Sequence, residues 1–400
     1  MTDQFNNVTK RYLEQTDLTH RKALGQYFTP RKLRNLLLSK LPRKRDALVL
    51  DPACGSGEFL LSADEYFPGC KLHGWEIDAR LARLSRKTVP QATIRQVDSL
   101  KKDPQARFDF VIGNPPYFEF KPDYWLKYKF RDVISGRTNI FSMFVKLGLQ
   151  LLKPKGYLAY VISPSMNNGA YFTRLREYII DHANIEYLSI QQSSSLFHSA
   201  QQTVMVMVLK KGRNKGDYVF SKNGLTIFSP DKEDLEKAFA GKTTLREMGF
   251  TVRTGKIVWN QHREQLTDDS LGSVPLIWAH NIAGSELVVG NHQGKPQYIK
   301  TDRYDTGPAV VVNRITGAAD RVSLKAALID PGFRFLGENH VNVIYPPEGM
   351  ATKRQQQLLR SVRDCINTDQ TARTMKLVTG NTQISRTELE RLLPLDIRNG

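Results

Sequence analysis

The sequence predicts an α/β protein in which an open, mostly parallel sheet fills the first half of the chain and a smaller α/β domain follows. Three observations carry this prediction. Apolar runs of strand length lead to carboxylates at Asp51, Glu76 and Asp98, spaced as successive βα units would place them along the carboxyl edge of one sheet. The first of these runs continues directly into a glycine turn and the start of a helix. Past Gly212 the regular alternation gives way to short mixed segments broken at Gly249, Gly255, Gly272, Gly290, Gly294, Gly307 and Gly317, the pattern of a smaller domain with long loops.

Ala47 to Asp51 is the first strand. Pro52 to Leu60 follows, with Gly55 and Gly57 placed where the backbone can approach a ligand closely. This is not the Gly-x-Gly-x-x-Gly dinucleotide fingerprint, because position 60 is Leu and the acid precedes the glycines. A zwitterionic amino acid joined to a nucleoside suits such a turn better than a pyrophosphate. Lys71 to Glu76 places Glu76, with Ile77 beside it, about twenty residues past the turn, where an acid accepts hydrogen bonds from ribose hydroxyls. Thr93 to Asp98 ends in a carboxylate able to accept from an adenine amino group. Phe108 to Gly113 reads as a buried parallel strand, and it delivers Asn114-Pro115-Pro116-Tyr117. By composition this tetrapeptide is a turn. Behind the ordered upstream acids it reads as a catalytic loop. An exocyclic amine is a poor nucleophile because its lone pair is delocalised into the ring; an Asn oxygen and a neighbouring carbonyl can accept from its hydrogens, prolines stiffen the loop, and a Tyr ring can stack on a planar base.

Gly25-Gln26-Tyr27-Phe28-Thr29-Pro30, then Asp51 to Gly57, then Asn114 to Tyr117, in that order, resemble the γ-class N6-adenine DNA methyltransferases of type II restriction-modification systems. The likeness continues through Asn139 to Phe144, Leu151 to Gly156 and the strand Tyr157 to Ile162, with Thr203 to Leu209 as a strand of a closing hairpin. The resemblance implies a Rossmann-like sheet of the S-adenosylmethionine-dependent methyltransferase kind in residues 1–212 and a DNA target-recognition domain in residues 213–400. It implies that Tyr27 and Thr29 touch the methionine part of S-adenosyl-L-methionine. Asp51, Ala53, Cys54 and Gly55 would line its pocket, Glu76 and Ile77 would hold the ribose end, Asp98 and Ser99 would border the adenine, and Pro116 would shape the cofactor side of the loop. Asn114 and the carbonyl of Pro115 would hold the amino group of a flipped adenine between Tyr117 and Phe197. Thr29-Pro30 also reads as the N-cap and first-turn proline of a helix from Arg31 to Lys40. The implied partners are double-stranded DNA and a separate cognate restriction endonuclease acting on the same site, in a bacterial, archaeal or phage setting. Methyltransferases of RNA bases and of release-factor glutamine share Asn-Pro-Pro-Tyr, but the early Gly-Gln-Tyr-Phe-Thr-Pro segment and the large C-terminal region argue against both. An intact cofactor set disfavours a non-catalytic specificity subunit.

Composition agrees. The 400 residues are enough for two packed domains, and 58 Lys and Arg against 40 Asp and Glu give a formal charge of +18. The surplus is larger up to Gly212, with 32 basic and 19 acidic residues, than after it, with 26 and 21. Both halves favour a polyanion, although charge does not separate DNA from RNA. Cys54, Cys70 and Cys365 form neither a paired framework nor a metal-ligand spacing, which implies a reducing, cytoplasmic setting and no metal. No apolar stretch is long enough to span a bilayer. Lys121 to Arg131 interleaves basic and aromatic residues and supports two readings, a loop on phosphates and an unstacked strand or a helix with its aromatic face on the core, with a segment that folds over bound DNA as the middle position. Ser385 and Glu388 form a capping-box pattern for a late helix.

Overall fold

The computed structural model describes residues 4–17, 28–137, 139–167, 169–191, 203–290, 294–314, 324–379 and 383–397. The chain divides into two compact units, one of Met1–Val219 with Phe228–Pro230 and the other of Phe220–Ile227 with Asp231–Gly400.

In the first unit α1 (Asn7–Gln15) and α2 (Arg31–Ser39) precede the alternation β1 (Leu48–Asp51), α3 (Glu58–Tyr66), β2 (Lys71–Glu76), α4 (Ala79–Thr88), β3 (Thr93–Gln96), β4 (Phe108–Gly113). There follow α5 (Tyr124–Lys129), α6 (Phe141–Leu151), β5 (Leu152–Ile162), α7 (Thr173–His182), β6 (Ala183–Gln191) and β7 (Val204–Lys211). The seven strands form one sheet in the order β3-β2-β1-β4-β5-β7-β6. The first five are parallel, and β7 runs antiparallel to both β5 and β6. Chain order reverses at β1, so the carboxyl ends of β1 and β4 lie side by side at a topological switch point, where open α/β sheets bind their ligands.

Burial explains why these segments are strands. All six residues of β4 are buried, as required of a central parallel strand covered on both faces. Phe110 stacks on Phe67 of the α3 side at a centroid distance of 4.5 Å, while the other face packs against α6, whose helix is apolar around nearly its whole circumference. Each such fully buried side chain contributes roughly 1.5–3 kcal/mol. The one acid inside β4, Asp109, sits at the amino edge and is fully committed: its carboxylate accepts from Leu48 N (2.8 Å), Lys44 Nζ (2.6 Å) and Lys153 Nζ (3.1 Å).

One local expectation is corrected. Pro30, not Thr29, occupies the N-cap position of α2, and among the described residues no side chain caps that helix. The Thr29 carbonyl is held instead by Arg34 Nη1 at 2.8 Å, and its hydroxyl is buried without a hydrogen-bond partner among the described residues.

The second unit contains a four-stranded antiparallel sheet in the spatial order Thr251–Thr254, Val341–Tyr345, Ala309–Asn313, Ala326–Ile329. A five-stranded sheet of short segments accompanies it, with a single parallel pair between Val274–Ile277 and Arg334–Gly337. The helices Thr352–Ile366, Asp369–Thr379 and Arg386–Leu392 share one apolar core with the four-stranded sheet. The late helix starts at the expected capping box, with Ser385 Oγ accepting from Glu388 N and the Glu388 carboxylate accepting from Ser385 N. Among the described residues no helix is long and apolar enough to cross a membrane.

Candidate active site

The loops at the carboxyl edge of the first unit enclose a cavity of about 430 Å³. Its lining brings together eleven of the residues singled out in the sequence: Thr29, Asp51, Ala53, Cys54, Gly55, Glu76, Ile77, Asp98, Ser99, Asn114 and Pro116. Pro115 and Tyr117 stand in the same loop without entering the lining. Tyr27 and Phe197 lie outside the described residues.

Asp51 ends β1 at the switch point and is 2% exposed. Oδ1 accepts from Ala53 N at 3.0 Å, and among the described residues no cation is paired with it. The carboxylate lies against Gly113, which has φ +143°; a β-carbon there would come within 2.6 Å of Oδ1, so only glycine admits the acid at this point. Burial, reinforced by the charge of Glu76 and opposed by the Ala53 N–H, pushes the Asp51 carboxyl up to about 8. Glu76 accepts from Gly55 N (2.8 Å) through Oε2 and from Asp78 N (2.9 Å) through Oε1. Burial raises its pKa as well, against the pull of those two N–H groups. Gly55 itself has φ +54°, and a β-carbon on it would meet nothing within 4 Å, so the glycine turn leaves open space where it borders the cavity.

Asp98 Oδ1 accepts from Leu100 N at 3.1 Å and starts a short turn over Ser99–Lys101, while the Ser99 hydroxyl donates to the Pro52 carbonyl. Cys54 is buried with its thiol against Ser85 Oγ at 3.7 Å; burial first, then Asp51 and Glu76, push its pKa well up, so it packs rather than reacts. In the Asn114–Tyr117 loop the Tyr117 hydroxyl donates to Asn114 Oδ1 and approaches the Val161 carbonyl at 3.4 Å, which fixes the Asn side chain.

Sequence reasoning missed two groups. The first is polar. Glu58, one residue after the glycine turn, lines the cavity and is paired with Arg34 at 2.8 Å; the side chains are 7% and 2% exposed. Its other oxygen accepts from Asn6 N at 2.9 Å. Arg34 Nε also donates to Ser62 Oγ at 2.9 Å, so α1, α2 and α3 are tied at one buried point beside the cavity. Ser56 Oγ, like Thr29 Oγ1, is buried in the lining without a hydrogen-bond partner among the described residues. The second group is apolar: Phe28, Phe59, Phe118, Phe120, Leu126, Ile140 and Phe144.

A seven-stranded sheet of this order, with an antiparallel strand inserted between the last two and a glycine turn after the first, is the Rossmann-like arrangement the sequence led us to expect. The chain belongs to the N-6 DNA methylase family, which it matches over residues 1–259. It is an adenine-specific DNA methyltransferase. The type II methyltransferase M.CvrRI of Paramecium bursaria Chlorella virus XZ-6E is 30% identical over 286 residues, covering 68% of this chain and 73% of the relative. The type II methyltransferase M.BsuBI of Bacillus subtilis is 24% identical, over 98% of this chain and 92% of its own. Among solved structures, the methyltransferase subunit of a type I restriction-modification system from Streptococcus thermophilus is 18% identical with a TM-score of 0.41, covering 53% of this chain and 52% of that one.

Proposed function

We propose that this chain is a γ-class modification methylase of a restriction-modification system. In this reading it transfers the methyl group of S-adenosyl-L-methionine to N6 of an adenine extruded from double-stranded DNA, at a site shared with a separate cognate endonuclease. The observation that carries the reading is the cavity in which Asp51 and Glu76, at the ends of strands, and Asp98, just past a third, meet Asn114.

The residues present fit the cofactor. The buried hydroxyls of Thr29 and Ser56, without a hydrogen-bond partner among the described residues, and the buried Asp51 carboxylate offer hydrogen-bonding groups to an amino-acid end, and the open space at Gly55 admits it. Glu76, already oriented by two backbone N–H groups, keeps lone pairs for two ribose hydroxyls. Ile77, 67% exposed in the lining, and Asp98 with Ser99 suit the face and edge of an adenine. S-adenosyl-L-methionine supplies a methyl group already activated on a positive sulfonium. The protein's part is then to present the acceptor: Asn114 Oδ1 and the Pro115 carbonyl accept from the target amine, localise its lone pair and hold it in line, with Tyr117 stacking on the base. The Tyr117 hydroxyl keeps Asn114 in that orientation beforehand.

The order of the three segments, with Thr29 early, the glycine turn next and the Asn-Pro-Pro-Tyr loop third, supports the γ-class arrangement. The second unit, with amide and guanidinium side chains at the tips of its strands, is the proposed reader of the target sequence. Incubating the protein with labelled cofactor and DNA, RNA and protein side by side, then mapping N6-methyladenine, tests the reading. Label in RNA or protein and none in DNA would refute it.

A further inference from the structure

The segment from Lys121 to Arg137 has a second face that the methyl-transfer site does not use. Within α5 Leu126 is buried and lines the cavity, and Phe130 just beyond is fully buried. The helix is therefore anchored through one aliphatic and one aromatic residue, and its remaining aromatics turn outward: Tyr124 is 87% exposed, Trp125 47% and Tyr128 64%. Tyr171, 50% exposed, lies against Gly136 in the following turn. These four make up nearly half of the nine large apolar side chains that stand exposed among the described residues. Scattered single exposures need no explanation, but a cluster of one chemical kind marks a contact surface.

The charge around the rings states what the surface fits. Lys121, Lys127, Arg131 and Arg137 are exposed, and among the described residues none is ion-paired with a carboxylate. The two acids of the segment are spent locally: Asp123 accepts from Leu126 N at 2.8 Å as the cap of α5, and Asp132 pairs with Lys146 at 2.5 Å. Cations already lie over the rings, Arg131 at 4.5 Å from the Tyr128 centroid and Lys129 at 4.7 Å from that of Trp125. A protein interface has an apolar centre depleted of charge. Aromatic faces interleaved with cations match a nucleic-acid strand, whose bases stack and whose phosphates pair.

Resting on the DNA-methylation reading of the neighbouring site, we propose that α5 and the turn to Arg137 form a surface for an unstacked DNA strand. Tyr124, Trp125 and Tyr128 stack on its bases, and Lys127 and Arg131 hold its phosphates. The position suits extrusion of a base, which leaves neighbouring bases without their stacking partners beside the pocket. The helix is tied to the lining of that pocket. Lys129 Nζ donates to the carbonyls of Leu100 (2.9 Å) and Lys102 (2.5 Å), and its own carbonyl accepts from Lys146 Nζ at 2.7 Å, so α5 is fastened to the turn that follows Asp98.

The test uses the full chain, a labelled single-stranded oligonucleotide and its duplex, with anisotropy measured across a salt series. Tyr124→Ala/Tyr128→Ala removes two exposed rings and leaves Leu126 in place. It is expected to weaken single-strand binding on the order of tenfold or more with an unchanged salt slope. Lys127→Gln/Arg131→Gln is expected to lower that slope by roughly 1.4. Both variants should bind S-adenosylmethionine as the wild type does, by calorimetry. Unchanged single-strand affinity in the ring variant overturns the proposal, as does a loss of self-association in sedimentation with DNA binding intact, which would assign the face to a second copy of the chain. A wild-type protein that neither binds nor methylates DNA would overturn the functional reading itself, a separate result.

Discussion

Asp109 and Asp51, at the amino and carboxyl edges of the central sheet, are held in opposite ways. At the amino edge Asp109 is met by two lysines and a backbone N–H; burial alone would raise its pKa, but these partners hold it below the usual carboxylate range. At the carboxyl edge Asp51 is buried more deeply, has one backbone N–H and no cation among the described residues, and is pushed up to about 8. The two acids sit on neighbouring strands of one sheet. The contrast separates a side chain whose charge the fold has answered from one whose charge awaits an answer, and it puts the second kind where the cavity is.

The largest effect should come from the residue placed on the acceptor. Asn114→Ala is expected to lower methyl transfer on the order of a hundredfold or more while leaving cofactor affinity close to wild type, since it removes an acceptor aimed at the amine. Transfer at near the wild-type rate would end the catalytic assignment. Next is a carboxyl-edge acid that the fold has answered: Arg34→Met leaves Glu58 buried without its cation and is expected to destabilise the protein by about 3 kcal/mol, with Arg34→Met/Glu58→Leu recovering part of the loss. Chemical denaturation measures both, and a single variant as stable as the wild type would show the pair to be idle. Glu76→Ala should weaken S-adenosylmethionine roughly ten- to a hundredfold and DNA hardly at all, because two hydrogen bonds to a charged group are lost; calorimetry with cofactor alone reads this. The smallest is Asp109→Asn, about 1 kcal/mol, since its lysines are half exposed and mostly screened. Its sign with pH is the informative part. A carboxyl held low stabilises above its unfolded pKa of 3.8, and that stability is lost as pH falls through the lower folded value, so wild type and variant should converge in acid.

What the sequence made legible follows from what a strand must do. β1, β2 and β4 are apolar runs with an acid or a glycine at the last position, and period and composition locate them to within a residue or two. The cavity acids were found because parallel connections bring all strand ends to one edge. Asp98 stands two residues past the end of β3, yet the intervening turn still carries it to the lining. The misread cap at Thr29 has a physical cause: Pro30 takes the cap conformation, and Arg34, five residues further on, claims the Thr29 carbonyl. The Arg34–Glu58 pair was invisible because it is a tertiary contact that no local pattern encodes, joining residues 24 positions apart. Phe118, Phe120, Leu126, Ile140 and Phe144 carry no chemistry that separates a cavity wall from ordinary core. For α5 the sequence left two readings, and burial of Leu126 in place of its aromatic neighbours favours neither a bare loop nor an aromatic core helix.

Thermal unfolding of the wild type and of Asp51→Asn, each with and without S-adenosylmethionine, tests the contrast between the edges most directly. Between the unfolded value near 3.8 and the folded value of about 8, native Asp51 retains a proton that the unfolded chain has released, so its contribution to stability falls as pH rises through that window. The amide cannot ionise and can still accept from Ala53 N. At pH 8 and without cofactor the variant should therefore melt a few degrees above the wild type, while added S-adenosylmethionine should raise the melting temperature of the wild type and leave that of the variant nearly unchanged. A variant that melts lower than the wild type without cofactor, yet is stabilised by S-adenosylmethionine as strongly, would contradict the account.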